Sequence, residues 1–335
     1  MIGPSRFTTI VLTTFTLWLG AALASVPAGL GPHPVSAQAT PDTEDQRAVL
    51  VTGASSGIGL RTTEMLAAQG YFVYAGARKA EDLERLDAME NVQAVRLDVT
   101  IQEEIDAAVR TIQEEGRGLF GLFNNAGVAV VGPLIETEEE EMFFQLDVNL
   151  FGPYRVTKAF APLLIESRGR VITTGSISGI LSGPFLGAYS MSKHGVEAYT
   201  DALAAEMEGF GVEVAVVEPG NYRSDIVASM RERMAAQERA GRPSLYGDRV
   251  ERMFQGPADR SQFPEPDDVS EAVLDFLSSD APKRRYLVVP NQREAEITIR
   301  KMIEELVQLN EDHAFSYDRE ALVEMLDEAL AASGR

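Results

Sequence analysis

The sequence predicts a single doubly wound α/β domain on a mostly parallel seven-stranded sheet, and three observations carry that prediction. Short apolar runs alternate with helix-like stretches from Ala48 to about Leu309, with no tandem repeat. The first run ends in a glycine-rich segment, Thr52 to Gly59, that passes directly into a helical pattern. Nearly every other segment of unusual composition also falls where an apolar run ends, and open parallel sheets bind their ligands at those ends.

Ala48 to Val51 reads as the first strand, followed by T-G-A-S-S-G-I-G with glycines at 53, 57 and 59. A glycine turn between strand and helix lets backbone approach a pyrophosphate, and the helix N-terminus adds amides and positive dipole. Tyr71 to Ala77 reads as the second strand, and its continuation is Ala77-Arg78-Lys79 with no acidic residue to bind a ribose 2′-hydroxyl. Arginine at that place accommodates a 2′-phosphate, so Arg78 favours NADP, with NAD as the other option; a solvated charge at a helix start is the alternative. The third strand, Val92 to Leu97, ends at Asp98-Val99, and a helix over Ile101 to Glu115 follows. Leu119 to Phe123 then leads to Asn124-Asn125-Ala126-Gly127, where small residues suit close ligand approach.

Thr137 and Glu140 have capping-box spacing, and the acidic run Glu138 to Glu141 suits a first helical turn. One unbroken helix is predicted from there to about Glu166. It carries Asn149 among Leu146, Val148, Leu150 and Phe151, where a polar amide is either functional or a hydrogen-bonded core residue. Gly169 to Ser176 is the predicted fifth strand, Val212 to Val217 the sixth, ending at Glu218-Pro219-Gly220, and Leu287 to Val289 the seventh, before a helix from Gln292 to Leu309.

After the fifth strand, Tyr189 and Lys193 stand one helical turn apart and project from one face. A tyrosine titrates near ~10, so acid/base work at neutral pH asks for a shift of roughly 3 units, on the order of 4 kcal/mol. Desolvation pushes the wrong way, so a positive charge must outweigh it, and Lys193 is placed to supply one. Ser176 is positioned to donate a hydrogen bond to a substrate oxygen, which together is the logic of a carbonyl reductase or alcohol dehydrogenase. Alone, a Y-x-x-x-K pair also describes an ordinary helix surface.

Taken together, TGASSGIG at 52–59, Asp98, NNAG at 124–127, Asn149, Ser176, Tyr189 with Lys193, and Pro219-Gly220 resemble the short-chain dehydrogenase/reductase family over Ala48 to about Leu309. The resemblance implies a Rossmann-type domain in which Tyr189 exchanges a proton with the substrate, Lys193 lowers its pKa and holds the nicotinamide ribose, Ser176 polarises the carbonyl, and Asn149 carries a water link from Lys193. It further implies cofactor contacts from Gly53, Ser55, Ser56, Gly57, Ile58 and Gly59 in the turn. Asp98 and Val99 are implied at the adenine, and Asn125, Ala126, Gly127, Pro219 and Gly220 along the cofactor's path. Ser224, standing where many members carry threonine, is implied at the carboxamide. Within the family, VYAGARKAEDL, LDVNLFGPYRVTKAFAPLL and VEPGNYRSD resemble the hydroxysteroid and retinol branch.

An apolar loop of Ile180, Leu181, Pro184, Phe185 and Leu186, together with a long connection from Asn221 to Phe263 dotted with Met230, Met234, Leu245, Tyr246 and Met253, suits an apolar small-molecule substrate under a lid. The function these features predict is an NAD(P)-dependent oxidoreductase acting on an alcohol/ketone pair. Reduction of a 3-oxoacyl thioester and a non-catalytic dinucleotide-binding regulator are the alternatives.

Composition narrows the partners. Thirty basic residues against 51 acidic ones, a net charge of −21, argue against nucleic acid. There is no cysteine, and His33, His194 and His313 lack metal-ligand spacing, so no metal is expected. Residues 1–39 have the layout of a secretory signal peptide, with an apolar run from Ile10 to Leu23 and two A-x-A sites, which predicts export to the periplasm or medium. An uncleaved membrane anchor and a misassigned start, leaving the protein in the cytoplasm, are the other options. Residues 40–47 read as a linker and 310–335 as a helical extension. The extension's stripe of Leu322, Val323, Leu326 and Leu330 is expected to dock on the domain or on another subunit of a homo-oligomer.

Overall fold

The structure, a computed structural model, describes residues 46–239, 244–253 and 260–332. The predicted signal peptide, and the linker up to residue 45, lie outside the described residues.

The chain runs β1 (Ala48–Thr52), α1 (Gly57–Ala68), β2 (Phe72–Ala77), α2 (Ala80–Asp87), β3 (Val92–Arg96), α3 (Gln102–Glu115), β4 (Gly121–Asn124), α4 (Glu139–Leu146), a π turn (Asp147–Phe151), and α5 (Gly152–Ser167). It continues with β5 (Arg170–Thr174), α6 (Gly187–Met207), β6 (Glu213–Pro219), α7 (Ile226–Arg239), α8 (Arg249–Met253), α9 (Asp267–Ser278), β7 (Arg285–Val288), α10 (Gln292–Leu309) and α11 (Arg319–Ala332). All seven strands pair in parallel in the order β3-β2-β1-β4-β5-β6-β7. The predicted single doubly wound domain is thus present.

The strands read as continuous apolar runs because both faces are covered. Val49 and Val51 of β1 point into a core with Leu66 of α1 and Val269, Val273 and Phe276 of α9. Ala48 and Leu50 point the other way, to Ile105 and Ile112 of α3 and to Val156, Phe160 and Leu164 of α5. Strand order reverses between β1 and β4, so the connections leaving them diverge and open a crevice above their carboxyl ends.

Three local expectations need correction. The single helix predicted to Glu166 is broken by the π turn at 147–151. Pro153 has no amide hydrogen, so the carbonyl of Asn149 lacks its α-helical partner and the backbone widens there. The capping box is not formed: Thr137 Oγ1 instead donates to the Pro133 carbonyl (2.9 Å), and α4 starts at Glu139 without a side-chain cap. The stripe on α11 does not bury itself on the domain, for that helix has no buried residue and Val323, Leu326 and Leu330 are exposed. Among the described residues no helix is long and apolar enough to cross a membrane.

Candidate active site

A cavity of about 560 Å³ opens at the carboxyl ends of β1, β4, β5 and β6. Its floor is the turn after β1, in which Gly53 and Gly57 hold φ values of +67° and +52° that favour glycine. A Cβ on Gly53 would stand 2.9 Å from Ala126 Cα, and one on Gly57 would stand 3.3 Å from Ser224 Cβ, so backbone itself forms the wall of the cradle. Ser55, Ser56 and Ile58 line it. Gly59 is not in that lining: a Cβ there would strike the Gly53 carbonyl oxygen and stand 2.5 Å from Asn125 Nδ2, so this glycine permits close packing of the turn.

Side-chain bonds lock the turn to its neighbours. Thr52 Oγ1 accepts from the amides of Asn125 (2.9 Å) and Ala126 (3.0 Å). Asn125 Nδ2 donates to the carbonyls of Thr52 (3.1 Å) and Gly53 (3.2 Å), and Thr174 Oγ1 donates to Asn125 Oδ1 (3.3 Å). One asparagine thereby ties β1, β4 and β5 at the crevice. Ala126, Gly127, Pro219, Gly220 and Ser224 also line the cavity, and Ser224 sits against the turn at Gly57.

Beyond β2 and β3, Arg78, Asp98 and Val99 border the far end of the cavity. The Arg78 side chain is 65% exposed and its Nη1 lies 3.5 Å from Asp98 Oδ2. Burial pushes the Asp98 carboxyl up, but bonds from the Thr100 hydroxyl and amide and the Arg78 charge outweigh it and hold the pKa below the ordinary value. Arg78 thus projects into water at this end of the cavity.

At the other end the predicted catalytic groups meet. Ser176 follows β5 in extended backbone, its Oγ accepting from the Ser178 amide (3.1 Å) to start the 3-10 turn Ile177–Gly179. Tyr189 and Lys193 project from α6 into the same cavity. Lys193 Nζ donates to the Thr174 carbonyl (2.7 Å) and lies 5.7 Å from the Tyr189 ring centroid. Burial lowers the Lys193 pKa to about 8, with Glu197 opposing.

The expected electrostatic balance at Tyr189 is not what the structure shows. Desolvation raises the phenol's pKa, and the Ser176 hydroxyl and the Arg260 guanidinium only partly offset it. The Lys193 ammonium is engaged by the Thr174 carbonyl, and burial lowers its own pKa, so the protein's own groups leave the phenol's pKa above its ordinary value. Asn149 is a fully bonded core amide: Oδ1 accepts from the Val128 amide (2.8 Å), and Nδ2 donates to the Val128 carbonyl (3.0 Å) and Ser192 Oγ (3.2 Å). Both hydrogens of its Nδ2 are used, which leaves one lone pair on Oδ1 and the backbone carbonyl in the π turn to accept a water.

Leu181 and Leu186 of the apolar loop line the cavity, with Val131 and, from the predicted lid, Ile226, Val227 and Met230. Ile180, Pro184 and Phe185 do not; the Phe185 ring packs edge-on against Tyr246 (5.4 Å) outside it. Leu245 is exposed, Met234 lies behind the wall, and the Met253 side chain is outside the described residues. Sequence reasoning missed Thr174, Tyr222 and Arg260 in the lining, and buried Gln145, which bonds the Val130 amide (2.6 Å) and Val128 carbonyl (3.1 Å). Gln145 stands four residues before Asn149 amid apolar residues, a spacing that signals one shared face. Arg260 gives no comparable signal, for it lies in an irregular connection.

The cradle of positive-φ glycines, backbone walls and an exposed arginine at the remote end fits a nicotinamide dinucleotide. The chain is 34% identical over 249 residues to an uncharacterized oxidoreductase, YbbO, of Escherichia coli K12, covering 72% of this chain and 86% of that one. It is 38% identical over 194 residues to a mitochondrial D-beta-hydroxybutyrate dehydrogenase of Bos taurus, covering 55% and 56%, and 39% identical over 189 residues to retinol dehydrogenase 16 of Mus musculus, covering 55% and 59%. A short chain dehydrogenase/reductase of Burkholderia phymatum, solved in complex with NAD, superposes with TM-score 0.68 at 25% identity over 83% of this chain and 98% of that one. An actinorhodin polyketide ketoreductase solved with NADPH does so with TM-score 0.62 at 29% identity over 73% and 96%. The profile of the short chain dehydrogenases matches residues 47–235, more than half of the chain, and the protein belongs to that family as an NAD(P)-dependent oxidoreductase.

Proposed function

We propose that the protein moves hydride between NADP and an alcohol/ketone pair on a molecule with a substantial apolar part. The observation that carries this reading is the meeting of Ser176, Tyr189 and Lys193 at one end of a cavity whose other end is the glycine cradle with Arg78. The names of two relatives, a retinol and a hydroxybutyrate dehydrogenase, support an alcohol/ketone pair.

The turn at 53–58 and Ser224 would hold the pyrophosphate, Asp98 and Val99 the adenine, Arg78 a 2′-phosphate, and Lys193 the nicotinamide ribose. A reduced nicotinamide held there would supply the hydride. The Ser176 hydroxyl orients the carbonyl oxygen by a hydrogen bond, and Tyr189 Oη delivers the proton that the oxygen needs as it becomes a hydroxyl. Desolvation keeps Tyr189 protonated and so ready as the acid in the reductive direction. Leu181, Leu186, Ile226, Val227 and Met230 exclude water from the reacting carbon.

Replacing Tyr189 by Phe removes the proton donor and leaves the cradle intact. We expect kcat to fall by about 10²- to 10⁴-fold with NADPH affinity, read by fluorescence titration, unchanged; retained turnover overturns the reading. The leader's residue pattern supports export of the chain, which sequencing the N-terminus of the native protein tests. Self-association is supported by exposed Phe143 of α4, Phe151 of the π turn and Tyr154 of α5, and light scattering on the purified chain tests it.

A further inference from the structure

Arg260 lies between α8 and α9 and lines the cavity beside the groups that handle the reacting oxygen. Its guanidinium is held on one side only: Nε donates to the Tyr222 carbonyl (2.8 Å), Nη2 to Asn221 Oδ1 (2.8 Å), and the group stacks 4.5 Å from the Phe263 ring centroid. These partners carry no charge. Among the described residues no carboxylate lies within ion-pair distance of Arg260, whereas Arg223 nearby is paired with Glu265 (2.6 Å). Glu294 acts on Arg260 only at longer range, its own oxygen bonded to the Asn221 amide (2.8 Å). The residue's backbone is left-handed at φ +55°, an unusual conformation for arginine that the surrounding bonds sustain.

A half-buried guanidinium without a counter-ion is costly in a folded protein unless a ligand supplies the anion. The guanidinium fork matches a carboxylate through two parallel hydrogen bonds. It lines the same cavity as Ser176, Tyr189 and Lys193, so the anion it receives belongs at the end of the cavity where the carbonyl reacts. The pyrophosphate cradle at Gly53 to Gly57 and the 2′-phosphate position at Arg78 are formed by other elements, which leaves Arg260 to the substrate.

We propose that Arg260 is a specificity-determining residue that binds a carboxylate on the substrate, so that the preferred substrate is a keto or hydroxy acid whose apolar remainder lies against Leu181, Leu186 and Met230. This rests on the reading of Tyr189 as the proton-transfer group.

The test compares an apolar keto acid with its methyl ester, using NADPH and the full chain, for the native protein and for Arg260→Gln and Arg260→Lys. The native protein should favour the acid. Arg260→Gln should lower the acid-to-ester ratio of kcat/KM by about 10- to 100-fold and keep the NADPH affinity, and Arg260→Lys should recover part of that ratio. Equal handling of acid and ester by the native protein overturns the proposal, and that ratio decides the matter even if the variants do not fold. A drop in NADPH affinity on substituting Arg260 also overturns it, by assigning the charge to the cofactor's pyrophosphate. Failure of the underlying reading is separable: Tyr189→Phe would then turn over both compounds, while binding of the keto acid to that variant, read by calorimetry, would still report on Arg260.

Discussion

The two ends of the cavity are built differently. The dinucleotide end is backbone held between strand ends: Thr52, Asn125 and Thr174 cross-link β1, β4 and β5, and glycines leave the surface bare for a ligand. The substrate end is made of side chains from a long connection, α7 and Arg260, resting on a few polar contacts to Asn221 and Tyr222. Strand ends are positioned by the whole sheet and tolerate little change, whereas a wall of side chains on a connection can be exchanged without disturbing the fold. The contrast teaches that cofactor use is tied to stability here and substrate choice is not.

Gly59→Ala should break this division most severely. It adds a methyl between the Gly53 carbonyl and Asn125, an overpacking expected to cost about 3 kcal/mol and to lower Tm together with NADPH affinity. A variant of native Tm that binds NADPH normally would show that the cradle is not rigid. Arg78→Asp should act on the cofactor alone, shifting the NADPH-to-NADH ratio of kcat/KM by about 10- to 100-fold with Tm unchanged. An unchanged ratio would remove the preference for NADP.

The smallest effect lies on the seam between the two ends, under Lys193. Glu218 is buried facing Glu197, and burial followed by the repulsion of Glu197 raises its pKa to about 7, while Arg285 opposes and Asp201 adds to the rise. The folded protein therefore holds a proton that the unfolded chain releases near its ordinary value of 4.5, so stability falls as pH rises from about 4.5 to about 7. Glu218→Gln should remove that slope and leave the protein about 1 kcal/mol more stable at pH 8. Tm measured against pH for both proteins checks it, and parallel curves would show that Glu218 ionises normally.

Much of the dinucleotide end was legible because it is local. The glycine turn, Asn125, Arg78 and Asp98 each follow the end of a strand visible as an apolar run, and Tyr189 and Lys193 share a helix face by spacing alone. The break at Asn149 was not read, although Pro153 announces it, because apolar periodicity continues across the π turn. Spacing also cannot tell a glycine that faces a ligand from one whose missing Cβ makes room for a neighbouring carbonyl, as at Gly59. Arg260 escaped because it joins Tyr189 in the cavity lining from far along the chain and stands in no regular element.

By itself the sequence determined the doubly wound sheet, the phosphate turn and the residues of the catalytic couple, since each depends on periodicity or on spacing within one turn. Only the tertiary structure decided which charges lose water and what they meet: Lys193 bound to the Thr174 carbonyl, Glu197 facing Glu218, and Arg260 without a carboxylate beside Tyr189. The physical reason is that solvation and Coulomb energies depend on every group packed around a charge, and those groups arrive from strands and connections far apart in the chain.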